Sequence, residues 1–258
     1  MSYPDLKITF LGTGTSSGVP MIGCHCEVCT SADTKDKRLR SSILVQSAST
    51  TLVVDTTPDF RYQMLREKVD RLDAVIFTHP HKDHIAGLDD VKAYNFFLKK
   101  PMEVFANSLT EVALRREFYY IFADKKYPGT PKVNLNLIDN DPFLVGDILA
   151  EPILVHHLNM PVLGFKFNRF TYITDANRID DIEKEKIKHS DTIVLNALRK
   201  QSHISHYSLS EAVELVDELQ IPNAFFTHIS HQMGRHADVN KSLPPNRMLA
   251  WDGLVLTV

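Results

Sequence analysis

Short apolar runs rich in β-branched residues recur from one end of this chain to the other. They occupy positions 6–11, 42–45, 51–55, 74–77, 102–106, 153–155, 170–174, 192–195 and 224–227, and runs of this length and composition predict strands. Helical patterns lie between several of them, over 58–68, 108–122, 179–188 and 208–219. In the last, Leu209, Ala212, Val213, Leu215 and Val216 share one face, which is the helical period of an amphipathic segment. Runs 43–45 and 52–54 are joined by a short Ser/Ala/Thr-rich turn. Tight connections of this kind join antiparallel strands, so the sheet cannot be purely parallel. The pattern predicts an α/β chain built as a sandwich of two mixed sheets. No Ser/Gly linker, low-complexity tract or internal repeat divides it. A single domain over 1–258 is expected, with 92–132 inserted at one rim.

Composition adds a size and a compartment. With 258 residues, 43% hydrophobic and 24% charged, the chain can bury roughly three quarters of its unfolded surface, so a large core is expected. Lys+Arg 29 against Asp+Glu 32 gives a net charge of -3, which provides no global positive field to hold long nucleic acid. The start, Met-Ser-Tyr-Pro-Asp-Leu-Lys, lacks a basic region followed by an apolar stretch, and no run of 18 apolar residues occurs. Neither export nor membrane spanning is expected. All three cysteines fall at Cys24, Cys26 and Cys29. An odd, clustered set cannot form a disulfide framework, and it suits a reducing, cytoplasmic compartment and a metal.

Most of the twelve histidines stand beside other ligand-type residues at the ends of predicted strands. The densest group is Thr78-His79-Pro80-His81-Lys82-Asp83-His84, directly after the run 74–77. In an extended turn His79 and His81 point the same way, while Asp83 and His84 reach an adjacent point. Neutral imidazoles split in this way around a hard carboxylate suit two neighbouring divalent ions. Pro80 stiffens the loop and lowers the entropy cost of gathering the ligands.

The run from His79 to His84 resembles the His-x-His-x-Asp-His motif of the metallo-β-lactamase superfamily. Later segments match that family's order of ligands: His157 after 153–155, Asp175 after 170–174 and His228 after 224–227. The resemblance implies an αβ/βα four-layer sandwich with its site at one edge of both sheets. It also implies a ligand set. His79, His81 and His157 would hold one metal, Asp83, His84 and His228 the other, and Asp175 would bridge them. His156 and His157 point to opposite faces of a strand, so only one can serve. The spacing of His157 from Pro161-Val162-Leu163-Gly164-Phe165 in the resembling branch favours His157.

Within the superfamily the chain is most similar to the phosphoribosyl 1,2-cyclic phosphate phosphodiesterase branch. The segment Leu11-Gly12-Thr13-Gly14-Thr15-Ser16-Ser17-Gly18 is a poor dinucleotide fingerprint, because its third glycine is misplaced. It leads into Cys24, Cys26 and Cys29, whose C-x-C-x-x-C spacing leaves a tetrahedral zinc one ligand short. The resemblance supplies His231, three residues after His228, and makes this zinc structural. It also makes His206 the acid that protonates the leaving group, with His203 as the competitor. An alkoxide leaves poorly unless protonated, and imidazole titrates near working pH.

His206 and Asp83 are therefore the expected catalytic residues, Asp83 also being a ligand. Zinc, manganese or iron could fill the catalytic pair. Asp55 either orients a ligating imidazole or simply caps its strand. Lys125, Lys126 and Tyr127 could meet substrate, and His236 could line the pocket, whereas His25 and His189 carry no functional expectation.

The expected function is dinuclear metal-dependent hydrolysis of a small cyclic phosphodiester, with attack by a hydroxide held between the metals. No membrane partner is expected, and a homodimer is left open. Two alternatives stand beside it: an RNA- or tRNA-processing nuclease of the same superfamily, which would need a basic gripping arm, and a non-catalytic metal- or RNA-binding module. Antibiotic hydrolysis would require export. Thioester or lactone hydrolysis would not require an acid such as His206.

Overall fold

The computed structural model describes residues 4–258; the expected domain over 1–258 thus includes residues 1–3, which lie outside the described residues. The first half runs β1 (Lys7–Gly12), β2 (Ser42–Gln46), β3 (Thr51–Val54), α1 (Phe60–Arg66), β4 (Ala74–Ile76), α2 (Lys82–Ile85), α3 (Lys92–Leu98), β5 (Met102–Ala106), α4 (Ser108–Glu117), α5 (Tyr119–Phe122) and β6 (Val133–Leu137). The second half runs β7 (Phe143–Val145), β8 (Ile148–His157), β9 (Met160–Phe167), β10 (Phe170–Ile173), β11 (Arg178–Ile179), α6 (Asp181–Ile187), β12 (Thr192–Asn196), α7 (Leu209–Glu218), β13 (Asn223–Thr227), α8 (His236–Ser242), β14 (Arg247–Leu249) and β15 (Val255–Thr257).

Two mixed sheets result, as expected. The first has the order β15-β1-β2-β3-β4-β5-β6 and the second β11-β8-β9-β10-β12-β13-β14, with β7 also on β8. Each sheet has three antiparallel joins followed by three parallel ones. The two sheets therefore share one pattern of joins, the first completed by β15 from the end of the chain.

The nearly continuous apolar strands are explained by burial on both faces. Ile43, Val45, Leu52 and Val54 point between the sheets, where they meet Phe165, Tyr172, Val194 and Phe225. Their neighbours Leu44 and Val53 point outward against Phe60 and Met64 of α1 and Leu114 of α4. On the second sheet Ile193, Leu195, Ala224 and Phe226 pack under Ala212, Leu215 and Val216 of α7. Three apolar layers thus separate helix, sheet, sheet and helix. The start of α7 is set by a capping box in which Ser208 and Glu211 satisfy each other's backbone groups.

Segment 92–132 is not a rim insertion. It supplies β5, which lies inside the first sheet between β4 and β6, together with α3, α4 and α5. Its apolar positions are spent on the outer core through Met102, Val104, Leu114 and Ile121. The single helix expected over 108–122 breaks at Phe118, whose φ of -119° and ψ of 41° leave the helical region as its ring turns into that core. The helix expected from 179 begins at Asp181, because Arg178–Ile179 pairs with the end of β8. Among the described residues, no helix is long and apolar enough to cross a membrane.

Candidate metal centre

The parallel strands β3, β4, β10, β12 and β13 bring their carboxyl ends toward one edge of the sandwich, the usual place for a site in α/β architecture. Asp55 follows β3, Asp175 follows β10 and His228 follows β13, and all three have positive φ (68°, 54° and 56°). Left-handed backbone costs a non-glycine residue roughly 1–2 kcal/mol. Asp and His tolerate it better than most residues. Each such turn ends a strand abruptly and leaves a polar side chain at the sheet edge.

Among the described residues, two sets of ligand atoms lie within 4.8 Å of one another here: Asp83, His84, Asp175 and His228, and His79, His81 and Asp175. Asp175 belongs to both. Its Oδ2 lies 3.0 Å from His79 Nε2 and 2.9 Å from His84 Nε2, and its Oδ1 lies 2.8 Å from His228 Nδ1. His84 Nε2 is also 3.2 Å from Asp83 Oδ2. His157 stands beside the second set, with its ring centre 5.2 Å from that of His81 and 6.0 Å from that of His79. His156 turns away and pairs with Asp180 at 2.9 Å.

Outer partners dictate which ring nitrogens carry hydrogen. Asp55, fully buried, accepts from His84 Nδ1 at 2.7 Å, from Thr78 Oγ1 at 2.8 Å and from the Thr78 amide at 2.9 Å. With its hydrogen donated to Asp55, Thr78 Oγ1 accepts from His79 Nδ1 at 2.9 Å. His157 Nδ1 donates to the Ser205 carbonyl at 2.7 Å. In His79, His84 and His157 the Nδ1 hydrogen is thereby fixed outward and Nε2 is the nitrogen left for the centre, which metal ligation needs in its deprotonated form; His79 Nε2 also faces His81 Nδ1 at 3.1 Å. Thr15 Oγ1 approaches His228 Nε2 at 3.1 Å.

Charge is concentrated here. Burial, and then the neighbouring His84, push His79 down to about 4. Burial also opposes charge on His84, but Asp175, Asp83 and Asp55 outweigh it and hold the imidazole well above its usual range. Burial pushes Asp83 and Asp175 up, yet His84 overcomes it for Asp83, and His228 with His84 overcome it for Asp175, so both sit below the usual carboxylate range.

The donor set fits divalent cations. The buried His84 Nε2 has no hydrogen-bond partner among the described residues despite its short contacts with two carboxylates. A ring nitrogen aimed at two carboxylates calls for a cation between them: without metal a proton serves, as the raised proton affinity of His84 reflects, and a divalent ion that displaces it meets imidazole and carboxylate ligands suited to zinc, manganese or iron.

His206 lies at the same edge. Its Nδ1 is 3.8 Å from Asp175 Oδ1, and its ring stacks on His228 at 4.9 Å and leans on His157 at 4.5 Å. That buried Nδ1 has no hydrogen-bond partner among the described residues. Burial, followed by His228, pushes the imidazole down to about 2. Burial thus opposes charge on this imidazole. A phosphoryl anion placed beside it would favour its protonated form. His203 is more exposed, with its ring 5.3 Å from that of His206 and its Nδ1 against the Ser205 hydroxyl at 3.2 Å.

A second cluster joins the β1–β2 connection to the segment after β13. The ligand atoms of Cys24, Cys26, Cys29 and His231 lie within 4.8 Å of one another. His231 Nδ1 is 3.3 Å from Cys24 Sγ and 3.4 Å from Cys26 Sγ. The Cys29 amide, and then His231, draw Cys26 down to about 6, while burial pushes Cys29 up to about 11. Three sulfurs and one nitrogen fit a closed tetrahedral zinc site. The nearby glycines serve packing: a Cβ on Gly12 would lie 1.9 Å from the Arg40 carbonyl and one on Gly14 2.9 Å from that of Arg38.

Some expectations fall away from the site. His236 is buried against Trp251 and accepts through Nδ1 from Arg38 Nη2 at 3.1 Å. Lys125, Lys126 and Tyr127 lie in an exposed loop, and His25 and His189 are exposed. A groove of about 650 Å³ between α1 and α3, lined by Phe60, Met64, Leu65, Tyr94 and Phe97 among others, contains no candidate site residue.

Thr15, Thr78 and the Ser205 carbonyl did not stand out in the sequence. Nor did two buttressing amides. Asn196 accepts from and donates to the backbone of Ala176 at 2.9 Å each. Asn177 accepts from the Leu158 amide at 2.7 Å and donates to the Ile204 carbonyl at 3.2 Å. The available signal was a polar residue closing a fully apolar run, as at Thr78 and Asn196.

Comparison with known proteins agrees with this arrangement. The family model described as the beta-lactamase superfamily domain matches residues 50–229. The crystal structure of a diphosphatase of the PhnP family is 37% identical, covers 98% of this chain and 97% of its own, and superposes with a TM-score of 0.92. Zinc-bound PqqB from Methylobacterium extorquens covers 98% of this chain and 100% of its own at 18% identity and a TM-score of 0.80, a likeness of fold. An octanoyltransferase of Porphyromonas gingivalis is 36% identical over 252 residues, 96% of this chain but 51% of that protein. The chain thus spans about half the length of that relative.

Proposed function

Because the chain belongs to the metallo-β-lactamase superfamily, and to its PhnP-like branch, we propose that it is a divalent-metal-dependent hydrolase acting at phosphorus on a small cyclic phosphodiester. The observation that carries this reading is His206, a buried imidazole with an unpaired nitrogen 3.8 Å from the carboxylate shared by both ligand sets. His79, His81 and His157 would hold one metal, Asp83, His84 and His228 the other, with Asp175 common to both. When bound, such a pair supplies Lewis-acid polarisation of phosphoryl oxygens and activation of water.

The chain's own groups do the rest. Asp55 and Thr78 keep the Nε2 lone pairs of His84 and His79 turned inward. The Ser205 carbonyl does the same for His157. A phosphoryl anion at the centre lies beside His206 and raises its proton affinity, and the imidazolium then gives its proton to the departing oxygen. A strained cyclic ester leaves as an alkoxide, so this proton matters. The Cys24, Cys26, Cys29 and His231 site would hold one structural zinc that fixes the β1–β2 connection.

A diphosphate ester is the second reading, favoured by the name of the 37% identical structure. Phosphate is a better leaving group than an alkoxide and needs a proton less. Octanoyl transfer belongs to the name of a protein twice as long, and the histidine–carboxylate edge described above offers no acyl-carrying nucleophile. Metal analysis of the purified protein, with turnover of a ribosyl cyclic phosphodiester, a nucleoside diphosphate and an octanoyl thioester, tests these readings. Faster hydrolysis of the cyclic ester supports the first. Preference for the diphosphate selects the second, and a metal-loaded protein inert to all three is a binding module.

A further inference from the structure

The connection from β12 to α7 carries His203, the Ser205 carbonyl that orients His157, and His206. Its neck is closed by backbone bonds: Leu198 donates to Tyr207 at 3.0 Å, Leu209 to Arg199 at 2.9 Å and Tyr207 to Ala176 at 2.9 Å. The crown between these bonds is largely exposed at Gln201, Ser202 and Ile204. Asn177 and His157 hold its far limb through the Ile204 and Ser205 carbonyls, and Arg199 holds the near one. Arg199 donates through Nη2 to the Ser202 carbonyl at 3.1 Å and through Nε to the Gln201 carbonyl at 3.3 Å.

The same guanidinium reaches out of the loop. Its Nη1 donates to Gln232 Oε1 at 2.9 Å. Gln232 sits in the short turn His231–Met233, whose first residue belongs to the cysteine–histidine cluster. That turn is itself fixed, because Ser230 Oγ accepts from the Gln232 amide at 3.2 Å and the Ser230 amide donates to the Leu198 carbonyl at 2.9 Å. A planar fork with several donors can satisfy two loop carbonyls and a side-chain oxygen at once, which an ammonium cannot do in the same fixed geometry.

We propose that Arg199 is a positioning residue, which locks the 199–206 crown onto the His231–Met233 turn and so couples the placement of His206 to the ordering of the cysteine–histidine cluster. This rests on the reading of His206 as the proton donor. A displacement of a reacting group by about 1 Å costs on the order of 100-fold in rate. Loss of the tie should therefore act on the step that needs the proton.

The test uses metal-loaded full-length protein carrying Arg199→Ala, Arg199→Lys, Gln232→Ala or the double alanine change. The substrates are a ribosyl cyclic phosphodiester and bis(p-nitrophenyl) phosphate, whose leaving group needs no proton. Arg199→Ala should lower kcat on the cyclic ester about 10- to 100-fold, with a much smaller loss on the aryl ester and little change in KM. Gln232→Ala should move the same ratio in the same direction, Arg199→Lys should recover part of it, and the two alanine changes should be non-additive. Amide hydrogen exchange over 200–206 should quicken while the melting temperature holds.

Equal losses on both esters, or a raised KM on both, would overturn the assignment in favour of a general structural or substrate-binding role. An unchanged Arg199→Ala beside a leaving-group-selective His206→Ala would overturn it while leaving the acid intact. If His206→Ala shows no leaving-group selectivity, the acid reading falls and takes this assignment with it.

Discussion

Asp55→Asn isolates the part of the site that sets ring tautomers. Asn has the shape of Asp and tolerates the φ of 68° found at this position. Asp55 Oδ1 accepts from the Thr78 amide at 2.9 Å, and a backbone N–H cannot reverse its role, so the Asn carbonyl would be kept there. The new NH2 would then face His84 Nδ1 and Thr78 Oγ1, where Asp55 now accepts at 2.7 and 2.8 Å. To avoid donor against donor, His84 would move its hydrogen to Nε2, the atom 2.9 Å from Asp175 and 3.2 Å from Asp83. A hydrogen there blocks the lone pair.

Loss of such an outer partner typically weakens metal binding about 10- to 100-fold, equivalent to about 1.4 to 2.8 kcal/mol. Competition against a chromogenic chelator, with bound metal counted by atomic emission, measures this directly. The weaker of two equivalents should be lost first. If Asp55→Asn keeps both active-site equivalents, beside the structural zinc, at wild-type affinity, Asp55 does not set the His84 tautomer and the argument fails.

Three further outcomes are expected. His206→Ala should retain both active-site metals and lose about 100- to 10,000-fold in kcat on an alkyl phosphodiester while losing little on a p-nitrophenyl ester; equal losses would contradict the acid role, point to positioning or metal disruption, and make His203 the residue to test. Cys26→Ser should release about one zinc equivalent and lower the melting temperature, since structural zinc contributes on the order of 10 kcal/mol in small peptides; unchanged metal content and stability would show the site misassigned. Burial, and then Arg38, push His236 down to about 4, so the unfolded chain binds the extra proton below its ordinary value near 6.5. Its contribution is complete above that value and is lost as pH falls toward 4. The urea midpoint should fall from pH 7 to 5, and His236→Gln should flatten the slope; identical slopes would refute a neutral buried His236.

The two mixed sheets and the order of the candidate ligands were legible in the sequence because both are local or ordinal signals. Strands buried on two faces read as unbroken apolar runs, and ligands placed where strands end read as His or Asp after such runs. The same logic reached Cys24, Cys26 and Cys29, whose spacing is short, and it raised Asp55 as one of two alternatives. Only the folded chain decided between them, by placing Asp55 against His84 at 2.7 Å across 29 residues.

Contacts between distant segments left no such trace. Segment 92–132 looked inserted because nothing in an isolated strand says which neighbours it pairs with, and β5 proved internal to its sheet. The helix expected over 108–122 lost its continuity to the core that Phe118 had to enter. His206 was singled out by the family resemblance, but its burial against His157 and His228, and hence its depressed proton affinity, arises from distant segments meeting. Residue types and their order thus carried the inventory of the centre. The protonation, orientation and bracing of each group depend on desolvation and on partners distant in sequence, which exist only once the two sheets close on one another.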